Sequence, residues 1–310
     1  MELNGTPKVS VVTPVYNRGF MMEMVLDSLT RQTYPNIELI CVDDGSTDNS
    51  AEIIKRYPQV KYIRQDNGGP ASARNTGIAA AAGEIIHFID SDVIAPPELV
   101  GLHVAEHLRH PRMIVQGQLV RIMDLSDAYK TPYSTWHYSR AFFDTANVSV
   151  RKEHLLNAGC FDEVNFRKGW EDLDLGMRLM KSGIKVKRLT KTGYIWHYEG
   201  RIRIDHIQDF FADRMVEGKA AVMFYRKHPT FEVKMMTMIG GFFNWLDRVL
   251  FKEAYLTSQK FIDDIKRLWD NNEKNKCIAK IRLNGYHFYF NGIKAKIKED
   301  GYLLKKKAVS

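Results

Sequence analysis

The sequence predicts an α/β fold, in which a mostly parallel central sheet is flanked by helices. Two observations support this prediction. Strand and helix patterns alternate over the first hundred residues with short links between them, which is typical of parallel sheets. In addition, three of the predicted strands have polar side chains at or just after their carboxyl ends, and ligands of such sheets bind outside the carboxyl ends of the strands.

The predicted elements follow from short β-branched runs and from apolar residues at helical spacing. In chain order, the strands are residues 8–14, 37–44, 60–65 and 85–90, and the helices are residues 20–33, 49–57 and 70–83. The third helix is alanine-rich, begins with Pro70 and is closed by Gly83, an asymmetry that is typical of helices. Asp48 is a candidate N-cap of the second helix.

The composition is that of a chain that fills a hydrophobic core, with 310 residues for one large domain or a domain with an appendage. The three cysteines are far apart and form no CxxC pair, so neither a disulfide framework nor a zinc site is indicated and a reducing, cytoplasmic location is expected. The N-terminus has no apolar segment of a signal peptide, and the longest near-apolar run, residues 235–246, is too short for a membrane span.

The positive net charge of the chain, +8, is concentrated at its C-terminus. Residues 274–310 contain ten Lys and Arg residues and two acidic residues, with Tyr, Phe and Ile between them. Such a tail is compatible with peripheral contact to anionic lipid, and equally with a solvated helix. It contains no recognised motif for RNA or DNA, so nucleic acid is not an expected partner.

The fourth predicted strand ends on two carboxylates one residue apart, Asp90 and Asp92. Like charges at the end of a buried strand are unfavourable unless a cation lies between them. Oxygen ligands without cysteine favour Mg²⁺ or Mn²⁺, and an enzyme with so few protein ligands takes the others from substrate phosphates. This pattern therefore indicates a divalent metal and a nucleoside diphosphate.

Polar residues also lie at the carboxyl ends of the first two strands: Tyr16 and Asn17 come after the first strand, and Asp43 and Asp44 end the second. Because parallel strands bring their carboxyl ends to one edge of the sheet, we expect these side chains to line one crevice together with the carboxylates that follow the fourth strand.

Five segments of the chain resemble the family 2 glycosyltransferases, which are inverting, metal-dependent enzymes with the GT-A fold. The segments are VSVVTPVYNR (9–18), SLTRQTYPNIELICVDDGSTDNS (28–50), NGGPASARNTGI (67–78), GEIIHFIDSDV (83–93) and WEDLDLGMRLMKSG (170–183). They occur in the order of the family and cover roughly residues 8–200.

The resemblance implies a GT-A catalytic domain over residues 1–228, with a nucleotide-binding half at about 1–95 and an acceptor half at about 96–228. Residues 229–310 are then a mostly helical, basic C-terminal extension.

The resemblance also implies a site for a UDP-sugar donor. Pro14 and Tyr16 should pack on the uracil and the ribose, and Asp44 should accept the hydrogen bond from uracil N3–H. The other residues expected on the nucleotide side are Asn17, Arg74, Asp90 and Ser91. Asp92 should bind Mn²⁺ or Mg²⁺ directly, and Asp90 and His197 are the further candidates for metal contact.

Asp172 matches the catalytic base of the family, and the resemblance implies that Glu171 holds an acceptor hydroxyl or orients the loop. An inverting transfer needs one base for the acceptor hydroxyl, and the metal neutralises charge on the leaving UDP. The alternative is structural, because acidic residues at the start of a helix also cap it and interact favourably with its dipole.

Several other residues have structural and functional interpretations. His87, inside an apolar strand, is expected to be a core histidine, whereas His103, His107 and His110 at helical spacing are expected on a solvated helix face. Asn147 is compatible with a position near the donor sugar and equally with a strand that enters a short helix.

Two stretches are candidates for contact with the acceptor or with a membrane. Trp136, His137 and Tyr138 lie in an irregular stretch that borders the acceptor in related enzymes. Residues 204–228 have the pattern of an amphipathic helix, for which packing in a core is the default; together with residues 235–251 and the basic tail, they are alternatively a membrane-interface region.

The resemblance therefore implies an inverting hexosyltransferase that moves a hexose or N-acetylhexosamine from a UDP-sugar to a glycan, polysaccharide or glycolipid, from the cytoplasmic face of a membrane. A nucleotidyltransferase on a similar sheet is one alternative. In such enzymes the loop after the first strand is usually rich in glycine and basic residues, whereas the corresponding loop of this chain, PVYNRGF, has one glycine and one arginine. A non-catalytic protein that binds through its basic tail is the other alternative.

Overall fold

The structure is a computed structural model of the chain. It describes residues 6–134, 137, 141–190, 192–199, 207–271 and 273–301. Contacts within the chain divide it into two compact units. The first, called here the sheet unit, consists of Met1–Arg167 and Glu171–Gly200, and the second, the helical unit, consists of Lys168–Trp170 and Arg201–Ser310.

The sheet unit alternates strands and helices. Its described strands are β1 (Val9–Val15), β2 (Ile37–Asp44), β3 (Val60–Gln65), β4 (Ile85–Ile89), β5 (Val93–Ile94), β6 (Met113–Gln116), β7 (Gln118–Ile122), β8 (Asn147–Arg151), β9 (Lys185–Arg188) and β10 (Tyr194–Tyr198). Its described α-helices are α1 (Gly19–Thr30), α2 (Ser50–Lys55), α3 (Pro70–Ala80), α4 (Leu99–Arg109), α5 (Lys152–Asn157) and α6 (Glu171–Lys181). The first four strands and three helices lie where the sequence predicts them.

Seven strands form the main sheet in the order β3-β2-β1-β4-β8-β6-β9, and a smaller sheet has the order β5-β10-β7. β1 pairs in parallel with β2 and β4, and β2 pairs in parallel with β3, whereas β8 is antiparallel to β4 and β6. The prediction of a mostly parallel sheet is therefore confirmed. Because β1, β2 and β4 are parallel neighbours, the polar residues that follow them reach the same edge.

Alternation along β1 places helices on both faces of the main sheet. Val9, Val11 and Val15 are buried in a cluster with residues of α1 and α4, whereas Val12 is buried in a cluster with residues of α3 and α6. Asp48 precedes α2, and its carboxylate accepts hydrogen bonds from the Gly19 amide at 2.8 Å and from the Ser50 amide at 3.0 Å. This side chain therefore satisfies amides at the start of two helices.

The helical unit contains α7 (Ile207–Lys227), α8 (Phe231–Met236), α9 (Gly241–Leu250), α10 (Glu253–Leu256), α11 (Gln259–Asp270) and α12 (Lys274–Glu299). The backbones of α7 and α12 approach closely at two glycines: a Cβ on Gly218 would lie 2.0 Å from the Tyr289 carbonyl oxygen, and one on Gly292 would lie 2.0 Å from the Met215 carbonyl oxygen. Helix α7 therefore packs in a helical core, and contacts group it with the C-terminal helices rather than with the sheet. None of the described helices has the length and apolar character of a membrane span.

The prediction of a solvated face for His103 and His107 is wrong. Both side chains are buried, and Nδ1 of His103 and Nε2 of His107 each lie 2.8 Å from Oγ of Ser149 on β8. The ring of His87 stacks on His103 with centroids 4.0 Å apart, which confirms His87 as a core histidine. Helix α4 turns this face towards the sheet because β8 supplies a polar partner there, and only His110, at the C-terminal end, is exposed.

These histidines make the stability of the sheet unit dependent on pH. Burial lowers the pKa of His87 to about 4 and, with the nearby positive charge of Arg151, the pKa of His107 to about 3; the pKa of His103 also lies well below its ordinary value. Below about pH 6.5 these histidines become protonated in the unfolded chain, whereas in the folded protein they stay neutral until the pH approaches their lowered pKa values. The free energy of unfolding therefore has its full value, as far as these histidines determine it, above about pH 6.5. It decreases as the pH falls towards the pKa values of the folded protein.

We expect His107→Gln to reduce this pH dependence. Between about pH 6.5 and pH 5, the free energy of unfolding of the variant should decrease by about 1–2 kcal/mol less than that of the wild type, measured by urea titration at both pH values. His110→Gln, at the exposed end of the same helix, is the control and should follow the wild type. Equal pH dependence in all three proteins would contradict the prediction.

Candidate active site

The loops after β1 and β2 are tied together by side chains that accept backbone hydrogen bonds. The Asn17 amide donates to Oγ of Ser46 at 3.0 Å, the Arg18 amide donates to Oγ of Ser50 at 2.8 Å, and the Thr47 amide donates to Oδ1 of Asn17 at 2.8 Å. Asn17 has a φ of 51°, a conformation that asparagine tolerates better than most residues. The side chain of Asn17 therefore shapes the loop, and its contact with a nucleotide stays a prediction.

The two residues expected to pack on the nucleoside differ in exposure. Tyr16 is 47% exposed, and Pro14 is half-buried at the end of β1. The register of β1 against β2 pairs Pro14 with Val42 and Val15 with Asp43. An exposed aromatic ring beside the carboxylates that end β2 is suited to stacking on a planar base.

Asp44 is held at the start of α3. Its Oδ1 accepts hydrogen bonds from the Gly68 amide and from Nε2 of Gln65, and its Oδ2 accepts one from the Gly69 amide, each at 2.8 Å. A carboxylate has about four acceptor positions, so Asp44 keeps capacity for a donor group of a ligand. The buried Asp43 instead serves the fold, through Arg64, Tyr62 and the Ser46 amide.

Arg74 is the most enclosed cation of the site, with 4% of its surface exposed. Its Nη2 donates to Oδ1 of Asp90 at 2.8 Å, and its Nη1 donates to Oε1 of Glu171 at 3.3 Å. The guanidinium also lies over the ring of Phe161, at 5.8 Å from the centroid. Arg74 therefore joins the carboxylate that follows β4 to the first residue of α6, which brings together three of the residues predicted for the site.

Asp172 lies in the first turn of α6, as predicted, and its Oδ1 accepts a hydrogen bond from the Leu173 amide at 2.7 Å. Desolvation raises the pKa of Asp172 well above its ordinary value, and the negative charges of Glu171 and Asp144 raise it further, whereas Arg74 opposes this shift. Such a perturbed carboxyl group is typical of an acid or base at a functional site.

Asp144 is a further carboxyl group near the candidate site, and no feature of the sequence singles it out. Burial raises the pKa of its carboxyl group, and the negative charge of Asp90 acts in the same direction, while His197 and Arg74 act against it. The residue lies just before β8, and its amide donates to Oε1 of Gln116 at 2.7 Å. The stretch in which it occurs, FDTAN, carries no spacing that distinguishes a site aspartate from a turn aspartate.

Asp92 and His197 come together through the small sheet. The antiparallel pairing of β10 with β5 places His197 opposite Val93, and the Tyr198 amide donates to the Asp92 carbonyl oxygen at 2.9 Å. As a result, Nε2 of His197 lies 3.4 Å from Oδ1 of Asp92. On the other side, Nε of Arg18 lies 4.0 Å from Oδ2 of Asp92.

These residues fit a divalent metal in part. A nearly buried carboxylate and an imidazole converge, and both are ligands that Mn²⁺ accepts. The described residues contain no group of three or more His, Cys, Asp or Glu side chains placed to hold a metal, and Asp90 accepts a hydrogen bond from Arg74. Asp92 and His197 therefore remain the candidates for direct contact, and Asp90 as a metal ligand stays a prediction.

The remaining candidates are placed as follows. Ser91 is buried in the turn between β4 and β5. Asn147 is fully buried, and its side chain bonds to His87 and to the Gly193 carbonyl oxygen, which favours the structural interpretation. His137 bonds to Ser134, whereas Trp136 and Tyr138 lie outside the described residues.

Comparison with known proteins relates this chain to one family. Residues 10–162 match the family model described as Glycosyl transferase family 2. The chain is 30% identical over 223 residues to the validoxylamine A glucosyltransferase of Streptomyces hygroscopicus subsp. jinggangensis, an alignment that covers 58% of this chain. It spans about half of that relative, namely 53% of its length.

Two solved structures have the same fold at low sequence identity. The mannosyltransferase PcManGT from Pyrobaculum calidifontis, in complex with GDP-Man and Mn²⁺, superposes with a TM-score of 0.61 at 17% identity, over 96% of this chain and 88% of that one. S. aureus TarS 1-349 in complex with UDP-GlcNAc superposes with a TM-score of 0.53 at 22% identity, over 69% of this chain and 66% of that one. The fold is therefore of the GT-A type, as the sequence predicts.

We expect Arg74→Met to destabilise the sheet unit by about 3–5 kcal/mol, because it leaves the buried Glu171 and the partly buried Asp90 without their cation. The matched control is Arg109→Met, which removes an exposed arginine paired with Glu106 at 3.0 Å and should cost about 1 kcal/mol or less. Urea unfolding measures both changes.

A second substitution separates lost charge pairing from lost packing. If the pairing matters, Arg74→Met/Glu171→Gln should be more stable than Arg74→Met alone, since the neutral amide removes one unpaired charge. Similar decreases in the free energy of unfolding for Arg74→Met and Arg109→Met would contradict the prediction.

Proposed function

Because the chain belongs to glycosyl transferase family 2, we propose that it transfers a hexose or N-acetylhexosamine from a UDP-sugar to a hydroxyl group of a glycan, polysaccharide or glycolipid, with inversion at the sugar carbon. The observation that carries this proposal is the buried Arg74, which connects Asp90 on the donor side to Glu171, the neighbour of Asp172. In this proposal, the donor-binding residues and the base lie around one cation.

Asp172 is proposed as the base. The acceptor hydroxyl loses its proton to the Asp172 carboxylate, its oxygen bonds to the anomeric carbon, and the bond from that carbon to the UDP oxygen breaks on the opposite face. A carboxylate with a raised pKa holds the accepted proton more firmly than an ordinary one, which suits it to this step.

Glu171 is proposed to position the acceptor. Its Oε1 is taken by Arg74, whereas its buried Oε2 has no hydrogen-bond partner among the described residues. A buried carboxylate oxygen of this kind is suited to accept a hydrogen bond from a sugar hydroxyl.

Asp92 and His197 are proposed to hold Mn²⁺ or Mg²⁺ together with the donor diphosphate. The bound ion supplies positive charge that stabilises the leaving UDP. Arg18, whose Nε lies 4.0 Å from Asp92, supplies a further positive charge from this chain at the same place.

The choice of nucleotide and the cellular location belong to the same proposal. Uracil is favoured by Asp44, whose carboxylate is fixed by three hydrogen bonds and keeps capacity for the N3–H donor. A cytoplasmic location with peripheral contact to the inner face of a membrane is proposed for the full chain. A nucleotidyltransferase is disfavoured, since the amides of Asn17 and Arg18 are bonded to serine side chains rather than directed to a triphosphate.

A panel of nucleotide sugars tests the donor. Release of UDP is measured with Mn²⁺ for UDP-glucose, UDP-galactose, UDP-GlcNAc and UDP-GalNAc, and release of GDP for GDP-mannose, each with and without extracts that contain acceptors. The proposal requires acceptor-dependent release from at least one UDP-sugar. Release from GDP-mannose alone would overturn the choice of nucleotide while leaving glycosyl transfer in place.

We expect Asp172→Asn to reduce acceptor-dependent UDP release by about 10²- to 10⁴-fold, since the amide is no base, with UDP affinity within about twofold of the wild type. Isothermal titration with UDP and a UDP-release assay measure the two properties. Asp66→Asn, which neutralises an exposed aspartate, is the control and should leave both unchanged. Full activity of Asp172→Asn would remove this residue from the proposed role.

We expect Asp92→Ala to make UDP binding insensitive to metal. In the wild type, EDTA should weaken UDP binding by about tenfold, because the ion links the carboxylate to the diphosphate. In Asp92→Ala, affinities with Mn²⁺ and with EDTA should agree, while Asp66→Asn should behave as the wild type. An affinity of the wild type that EDTA does not change would count against the metal.

A further inference from the structure

Helix α9 in the helical unit has the reverse of the usual amphipathic arrangement. Asp247 is 2% exposed, whereas Phe242, Trp245 and Val249 are 64%, 57% and 57% exposed. The three apolar residues are spaced three and four positions apart and therefore share one side of the helix, and Asp247 lies on the opposite side. Large apolar side chains are normally buried and carboxylates exposed, so this face requires an explanation.

The orientation of α9 is fixed by the buried carboxylate. Oδ1 of Asp247 lies 2.9 Å from Nδ1 of His287, and Oδ2 accepts a hydrogen bond from Nζ of Lys294 at 2.6 Å; both partners are on α12. Nε2 of His287 lies 3.1 Å from Nδ2 of Asn291. A rotation that buried the aromatic rings would separate this carboxylate from its partners, so the rings are held outwards.

The preceding helix extends the apolar surface. On α8, Phe231 is 73% exposed and Met235 is 47% exposed, four positions apart on one side, and Leu250 at the end of α9 is also exposed. We call the exposed side chains of Phe231, Met235, Phe242, Trp245, Val249 and Leu250 the α8–α9 face. The rings of Phe242 and Trp245 lie 6.1 Å apart.

The charges around the α8–α9 face are basic. Four basic residues between positions 227 and 252 are exposed, namely Lys227, Lys234, Arg248 and Lys252. The same range has two acidic residues: Glu232 is exposed, and Asp247 is buried and paired. The same sign holds for the whole helical unit, which contains 23 Lys and Arg residues and 13 Asp and Glu residues. The positive surplus of the chain therefore lies in the unit that carries the apolar face.

We propose that the α8–α9 face binds the surface of an anionic lipid bilayer, with its aromatic side chains inserted at the level of the headgroups and its lysines and arginine against lipid phosphates. Tryptophan and phenylalanine on one side of a helix with basic residues beside them are the features of helices that lie in a membrane interface. A second copy of this chain is a poorer occupant, because a symmetric contact would bring the same positive charges together.

This inference rests on the peripheral membrane contact proposed above and names the surface that makes it; the interaction is separate from glycosyl transfer and needs no donor. Its test is flotation of the full chain with vesicles that contain phosphatidylglycerol, at low and high salt, beside vesicles of phosphatidylcholine alone. The wild type should float with the anionic vesicles at low salt and less at high salt. Phe242→Ser/Trp245→Ser should reduce the bound fraction by about tenfold or more, because two exposed rings no longer enter the interface.

Matched controls use exposed apolar residues of the sheet unit. Leu156→Ser/Val164→Ser changes side chains that are 54% and 93% exposed and should float as the wild type does. Thermal unfolding and UDP binding, measured on the same samples, should be unchanged in both double variants, because every substituted side chain is at the surface.

Three outcomes would overturn the proposal. One is a wild type that does not float with anionic vesicles at low salt. Another is flotation of Phe242→Ser/Trp245→Ser at the wild-type level. The third is a dimer in size-exclusion chromatography that this double substitution dissociates, without flotation, which would assign the face to a second copy of the chain. Each result is obtained without a nucleotide sugar and leaves the test of glycosyl transfer independent.

Discussion

The site depends on one buried cation with two carboxylate partners. Arg74 reaches Asp90 after β4 and Glu171 at the start of α6, two residues that are far apart in the chain. Its planar guanidinium donates in two fixed directions, which a lysine ammonium on a flexible stem does not reproduce. Without this charge, the carboxylates of Asp90, Asp144, Glu171 and Asp172 would repel each other at low dielectric constant. The two ion pairs of Arg74 therefore set the separation between Asp90, on the proposed donor side, and Glu171, the neighbour of the proposed base.

Helix α3 carries this cation to its place and also holds the nucleotide side of the site. The amides of Gly68 and Gly69, just before the helix, bind Asp44, and Arg74 follows one turn into it. Gly77 allows the helix to lie directly on β1, because a Cβ there would come within 2.3 Å of Cγ1 of Val12. One rigid element thus connects a residue expected to read the base with a residue that organises the acids, so a shift of α3 would disturb both.

Sequence patterns predicted the first half of the sheet well and the contacts across it less well. Pro70, the short β-branched runs and the Asp-Gly turn at Asp44 are local signals, and local geometry decides strands and helices. The meeting of Asp92 with His197 instead requires the pairing of β5 with β10, which the spacing of residues does not encode. The spacing of His103 and His107 defined a helix face but not its environment, since Ser149 reaches it from a separate strand.

The two units use buried charge in the same way with opposite sign. In the sheet unit a buried cation organises carboxylates, and in the helical unit the buried Asp247 organises His287 and Lys294. Such arrangements add little net stability, but any other packing leaves the charge unpaired in the interior, so they select a single orientation of the helices that carry them. That selection explains why Phe242 and Trp245 stay exposed despite the hydrophobic effect: the carboxylate on the opposite side of α9 determines which face is turned outwards, and a rotation that buried the two rings would take this carboxylate away from the buried His287.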